Sequence, residues 1–390
     1  MPGGPARWLR TRPDPAATWP TWLALLIAAA LLTGTGTPPV TQVACLMAVT
    51  AALLVSLRWR SPHLALLVLL ICGLALRQAA VGRVGSDVLL VTQAAIHTML
   101  DGASPYGIGY AQSVPPGAPF AYGPLALLWY LPSLADPGRV ELLLSMSLVG
   151  VFAIRGRPLG LALFATLTAL LVTATDGSND TSAGVLLLVA LLAAERAPVL
   201  GGVLLAVAVS FKPYALAWLL PLLAYGGIPL PLLAFVGTSL VCWGWAAIAW
   251  GPGPILDSLR RADGLHPQAY YSLAWVVADL HLMPDSAWAV TRYLAGGLTA
   301  IVGWAWVRTA RSFVVVGIAI YLVTLFTGWW STFAYLAAIA PVVCWHLDDW
   351  LGLEHLRIRW PGDPVGAWTG WVDRRWPIRR PWWDTDVESA

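Results

Sequence analysis

Apolar residues along this chain fall in long blocks separated by short loops of Arg, Gly and Pro, without the alternation of a strand. A bilayer core of about 30 Å takes roughly twenty apolar residues as a helix. A transmembrane barrel would show alternating segments of about ten instead. The blocks predict spans at about 19–32, 40–57, 62–80, 138–154, 158–174, 182–194, 229–250, 287–307, 313–327 and 332–346. One further block, Val199 to Ala224, is interrupted by Phe211-Lys212-Pro213, and its first half is only thirteen residues, about 20 Å of helix. It reads as two short helices in a hairpin, with one kinked span as the alternative.

Arginine asymmetry orients these spans. Arg7, Arg10 and Arg12 precede the first, Arg58 and Arg60 follow the second, and Arg155, Arg157, Arg196, Arg308 and Arg311 fall in alternate loops. The hairpin reading puts Arg357, Arg359, Arg374, Arg375, Arg379 and Arg380 on the same side; the kinked reading puts them opposite. The expectation is therefore an all-α polytopic membrane protein of about twelve spans in a bacterial plasma membrane, with both termini cytoplasmic. It divides into an N-terminal three-span segment (1–81), a structured outer loop (82–137), a transmembrane core (138–347) with a second outer loop at 251–285, and an Arg/Trp-rich cytoplasmic tail (348–390).

Composition agrees. Of 390 residues, 58% are hydrophobic and 11% charged, against about 25% charged in a soluble domain. The 23 tryptophans suit the two membrane–water interfaces. A net charge of +3 is too small to suggest a nucleic-acid partner. Cys45, Cys72, Cys242 and Cys344 all lie in apolar runs, with neither disulfide nor metal spacing.

The charges that remain are the candidate chemistry, because ionisable groups beside a membrane need a reason. Asp87 precedes the amphipathic run 88–100; it reads as a helix cap or as a general base, and the two are compatible. Lys212, the one lysine among 23 basic residues, reads as a snorkelling end residue or as a point charge for a phosphate oxygen. Arg260, Arg261 and His266 fall in the second outer loop, RRADGLHPQAYY, and are candidates for an anion. Asp176 and Asp180 flank Asn179 in a turn that ordinary turn chemistry explains.

The first outer loop resembles that of the C-type glycosyltransferase superfamily, and closely glycosyltransferase family 87 of actinobacteria. The resemblance rests on Asp87 opening the helix, Gly102, Pro105-Tyr106, and Pro119-Phe120-Ala121-Tyr122-Gly123-Pro124 before an apolar segment. It continues with Gly177-Ser178-Asn179, the run GGVLLAVAVSFKP ending in Lys212-Pro213, and Gly328-Trp329-Trp330-Ser331. Three spans precede the aspartate where the family more usually has one, and the tyrosine common soon after it is replaced by Val88-Leu89-Leu90.

The resemblance implies transfer of a sugar, mannose first, from a polyprenyl-phosphate donor to an envelope glycolipid or glycan on the outer face. Asp87 would be the base and the anomeric centre would invert. Lys212, Arg260, Arg261 and His266 would hold the donor phosphate, and Tyr106, Phe120, Tyr122, Asn179 and Trp330 the sugar or acceptor. The donor is a co-substrate, so the mechanism asks for no cofactor and no metal. A lipid-linked sugar carrier or flippase, or a non-catalytic envelope-assembly protein, is the alternative.

Overall fold

The computed structural model describes residues 15–34, 38–59, 62–82, 85–264, 272–328, 333–353, 356–360, 362–375 and 377. In chain order the helices are α1 (Pro15–Leu32), α2 (Pro39–Trp59), α3 (Pro62–Ala80), α4 (Val88–Leu100), α5 (Pro124–Tyr130) and α6 (Gly138–Arg155). Then come α7 (Pro158–Thr166), α8 (Thr168–Thr173), α9 (Asp180–Ala194), α10 (Pro198–Phe211), α11 (Leu219–Gly226) and α12 (Pro229–Trp250). The last are α13 (Pro252–Gly264), α14 (Leu273–Asp279), α15 (Asp285–Trp306), α16 (Ala310–Thr327), α17 (Phe333–Trp350) and α18 (Pro364–Arg375). Nine of these eighteen helices open on proline, where the missing amide costs no hydrogen bond; much of the chain's proline is spent there. Two two-residue strands, β1 (Gly109–Tyr110) and β2 (Ala118–Pro119), pair antiparallel.

The fold is all-helical, as expected, and it divides into two compact units. Unit 1 comprises Met1–Gly85, Glu141–Thr181 and Ala340–Arg375; unit 2 comprises Ser86–Val140, Ser182–Ile339 and Trp376–Ala390.

In unit 1, the predicted span 158–174 is two helices, α7 and α8, broken at Leu167. The reason lies on α3. Arg77, fully buried, donates to the carbonyls of Phe164 at 2.8 Å and Ala165 at 3.4 Å, and to Ser145 Oγ at 2.7 Å. Those carbonyls would otherwise accept from residues 168 and 169, so the guanidinium takes over the bonds that the break leaves unmade. At one end of unit 1 the arginines of separate segments converge. Arg155 and Arg157 pair with Asp349 at 3.0 and 2.6 Å. The carboxylate of Asp348 accepts from the amides of Leu159 and Gly160, which open α7. The stretch after α17 folds back here too: Ile358 N donates to Gly156 O, Trp360 Nε1 to Ala153 O, and His63 Nε2 meets Arg359 O at 2.8 Å. The first turn of α3, the loop after α6 and the chain after α17 thus share one end of unit 1. The boundary expected at residue 348 falls inside a helix, since α17 continues to Trp350.

In unit 2, α10 stops at Phe211, a 3-10 segment covers Pro213–Trp218, and α11 follows. Proline at 213 has no amide to continue the ladder and disfavours helix at Lys212, whose φ of −142° and ψ of 115° are extended. The chain doubles back: a Cβ on Gly226, at the end of α11, would strike Pro198 at the start of α10. Tyr225 donates to Glu195 O at 3.1 Å across the same closure. Helices α15 and α16 run antiparallel in close approach. Gly303 sits against Val316, Gly296 lies 3.0 Å from Thr324 Cγ2 when given a Cβ, and Trp288 Nε1 donates to Thr327 O.

Among the described residues, four helices are long and apolar enough to cross a membrane: α2 up to Arg58, α3, α12 and α16. A fifth candidate is the broken pair Pro124–Ser133 and Gly138–Arg155, counted as one span. Several others that the sequence reading counted are shorter. The fifteen residues of α9 make about 22 Å of helix, less than a bilayer core.

Replacing Arg77 by Met keeps the volume and orphans the Phe164 and Ala165 carbonyls. Hydrogen bonds from a charged donor are worth about 1.5–3 kcal/mol each. The expected result is a loss of at least about 3 kcal/mol, read by thermal or denaturant unfolding of the purified protein.

Candidate functional site

Unit 2 holds a cavity of about 690 Å³. Its walls follow from helical periodicity. From α15 come Arg292, Tyr293, Gly296, Gly297 and Ala300; from α16 come Ile320, Tyr321, Thr324, Leu325 and Gly328. Each set is spaced i, i+1, i+4, i+5, i+8, one face of a helix. Gly297 leaves space where a side chain would stand. The 3-10 segment adds Pro213, Tyr214, Leu216 and Ala217. Both predicted outer loops reach it, the first through Ala121 and Tyr122, the second through Leu259 and Ala262 of α13.

The cavity wall is largely apolar, with two cations in it, Lys212 and Arg292. Tyr214 packs its ring on Tyr321 at 5.3 Å, and Trp218, further along the 3-10 segment, covers Gly317 and donates to Val314 O. The segment therefore runs antiparallel to α16. Arg292 stands level with Gly328, and Lys212 sits where the 3-10 segment begins, beside Tyr122, Tyr214 and Tyr335. Eight residues of α15 separate Arg292 from Ala300, about 12 Å.

Lys212 is only 4% exposed. Its Nζ lies 5.5, 5.2 and 5.0 Å from the ring centres of Tyr122, Tyr214 and Tyr335. Taking an ammonium out of water costs several kcal/mol, and each aromatic face returns about 1–2 kcal/mol. The side chain is thus held at the cavity wall, not snorkelling. Arg292, a residue the sequence reading passed over, has its Cζ 5.3 Å from the Tyr293 ring centre and 3.6 Å from where a Cβ on Gly328 would sit. Its signal was present: one ionisable residue inside a stretch otherwise apolar enough to count as a span.

The loop carrying the family-like motifs packs behind Tyr122. Tyr106 and Phe120 are fully buried, their rings 5.4 Å apart, and Tyr106 also meets Trp250 at 5.8 Å. Tyr106 donates to Tyr122 O at 3.1 Å, and burial pushes its phenol up. Neither lines this cavity; they brace Tyr122, which does. The amide of Gly107 donates to Ser258 Oγ at 2.8 Å, tying this loop to α13. Gly123 N donates to Phe211 O at 3.2 Å, tying it to the end of α10.

Asp87 stands at the N-cap position of α4 but makes no side-chain cap. Its Oδ2 accepts from Val114 N at 2.5 Å, across to the turn between β1 and β2, while Ser86 Oγ accepts from Val88 N. The carboxylate is half-buried and is not among the residues lining the cavity. It reaches the wall indirectly, since the turn it holds leads through β2 to Ala121 and Tyr122.

Arg260 and Arg261 are exposed on α13, and Arg261 pairs with Asp257 at 2.6 Å. The side of α13 that faces the cavity carries Leu259 and Ala262, so helical phase turns these two arginines away from it. His266 and Trp330 lie outside the described residues. Asn179 is fully buried and belongs to unit 1, as does Asp176, whose Oδ1 accepts from Ser178 N at 2.9 Å as turn chemistry requires. Turn chemistry does not require their depth: Asp176 is buried, and that burial raises its pKa against the lowering effect of Ser178. No three His, Cys, Asp or Glu side chains cluster as metal ligands among the described residues.

No family model matches the chain, and neither a curated protein nor a solved structure matches it.

Two predictions follow from these contacts. A Cβ at Gly123 would collide with the Ser210 carbonyl, backbone against backbone. Gly123→Ala should therefore destabilise unit 2 by about 1–3 kcal/mol and shift Tyr122 from Lys212; unchanged melting and unchanged tyrosine fluorescence would refute it. The folded state binds the Asp176 proton more tightly than the unfolded state does. Its contribution is complete below the ordinary carboxylate range and is lost as pH rises through the raised folded value. Unfolding temperature should fall across that rise, and Asp176→Asn should flatten the fall.

Proposed function

We propose that this chain is a membrane glycosyltransferase. It takes a sugar, mannose first, from a polyprenyl-phosphate donor and passes it to an envelope glycolipid or glycan on the outer face of a bacterial plasma membrane. The observation that carries the reading is the cavity of unit 2: a largely apolar groove at least about 12 Å long with two cations, Lys212 and Arg292, in its wall. That combination suits an amphiphile with an anionic head and a hydrocarbon tail, and it sits beside the loop whose motifs resemble those of family 87.

In this reading the donor phosphate lies at Lys212 and Arg292 and the first prenyl units along Gly296, Gly297 and Ala300. The acceptor hydroxyl attacks the anomeric carbon from the face opposite the phosphate. The bond from that carbon to the phosphate oxygen breaks, and the sugar inverts. The acceptor enters over the β1–β2 turn that Asp87 holds through Val114, and Asp87, outside the cavity wall, takes the hydroxyl proton there. The departing phosphate gains charge as the bond breaks, and two cations fixed in a largely apolar wall stabilise that charge more than water would. Tyr122, Tyr214 and Tyr335 keep the head in place and limit hydrolysis of the donor. About twelve crossings, the short helices paired as hairpins, complete the architecture.

A carrier of the same lipid would also use a groove with cations in its wall, so the test must separate them. Purified protein is incubated in vesicles with radiolabelled polyprenyl-phosphate-mannose and a lipid acceptor extract. The expected outcome is a labelled glycosidic product, lost by at least about a hundredfold in Asp87→Asn, in keeping with removal of a general base, with folding intact. Lys212→Met should raise the donor concentration needed for half-maximal rate as well as slow turnover. Movement of labelled lipid between leaflets with no new glycosidic bond would establish the carrier, and near-normal turnover in Asp87→Asn would remove that residue from the chemistry.

A further inference from the structure

The last helix of unit 1, α18, carries two largely exposed indoles. Trp368 is 63% and Trp371 51% exposed. At 100° per residue they share one side of the helix with Val372 and Arg375, while Gly366, Gly370, Thr369 and Asp373 take the other. Helix α18 starts from a fixed point. Asp363 accepts from Gly366 N at 3.0 Å as its cap and pairs with Arg357 at 2.6 Å. Arg357 Nε in turn donates to Arg155 O at 3.0 Å. This chain of contacts roots α18 at the arginine end of unit 1, where Arg155 and Arg157 gather with the first turn of α3. Between residues 356 and 380 the sequence carries six arginines and two aspartates.

A short helix with indoles on one side, basic residues at its end and little overall hydrophobicity is built to lie in the plane of a membrane interface. Tryptophan favours the headgroup level. Arginine beside it adds attraction to anionic lipid, and its aliphatic stem permits a place on the apolar side. We propose that α18 is an interfacial helix that docks on anionic phospholipid headgroups of the leaflet at the arginine end of the chain. The partner is the lipid surface itself. Charge complementarity selects anionic over neutral lipid, and the paired indoles supply the apolar contact. The inference needs only that the apolar helices of unit 1 sit in a bilayer; it is independent of the sugar-transfer reading.

The test uses the full chain in nanodiscs of phosphatidylcholine alone and of equimolar phosphatidylcholine and phosphatidylglycerol. Amide hydrogen exchange of the peptide spanning 364–375 is the readout. Exchange should be slower in the anionic discs. Each arginine near such a surface is worth about fivefold in binding, so Arg374→Gln with Arg375→Gln should reduce the lipid-dependent protection about 25-fold. Trp368→Ala with Trp371→Ala should raise exchange in both lipids. Exchange in helices α1–α3 serves as the folding control. Equal exchange in the two lipids, or protection that appears only when a disc holds two copies, would overturn the proposal; the second result would assign the face to a contact between copies.

Discussion

The break in the chain at Lys212-Pro213 is the constraint on which unit 2 depends. Because residue 213 has no amide, α10 ends at Phe211 and its last carbonyl is left for another donor. Gly123 supplies it, and that bond fixes the Tyr122-Gly123-Pro124 corner against the end of α10. Extended geometry at Lys212 turns its side chain among Tyr122, Tyr214 and Tyr335. The 3-10 segment then carries Trp218 onto Gly317, and α11 returns to Pro198. One proline thus sets the position of a cation, closes a hairpin and forms a wall of the cavity.

The remaining walls come from omission. Gly297 leaves space where a side chain would stand, between helices that touch at Gly303 and Gly296. Close approach of helix backbones is bought with small residues in a membrane setting, where lipid gives no hydrophobic drive to bring helices together. Unit 1 shows the complementary solution. There a cation is used for structure: Arg77 takes the carbonyls freed where α7 and α8 part.

Sequence patterns revealed those features that depend on neighbouring residues. The hairpin was legible because thirteen apolar residues before Lys-Pro are too few for a span. The start of α4 directly after Asp87 was legible from the amphipathic run. What depends on distant partners was not. Nothing in the sequence pairs Asp87 with Val114, or Arg77 with residues 164 and 165. Phe120 shares its motif with Tyr122 and Tyr106 belongs to the same loop, yet of the three only Tyr122 faces the cavity, and Tyr106 is turned inward with its hydroxyl on the Tyr122 carbonyl. Arg260 and Arg261 looked available because charge in an outer loop was noted without the helical phase of α13. Arg292 was hidden by averaging, one charge inside a run long enough to count as a span.

The account turns on the claim that Lys212 and Arg292 in the unit 2 cavity hold the phosphate of a polyprenyl-phosphate sugar. A structure of the full chain in nanodiscs with a non-transferable polyprenyl-phosphate analogue tests this most directly. The phosphate is expected between Lys212 Nζ and the Arg292 guanidinium, with the first prenyl units along Gly296, Gly297 and Ala300. A phosphate bound elsewhere, with the cavity filled by ordinary membrane lipid, would contradict it.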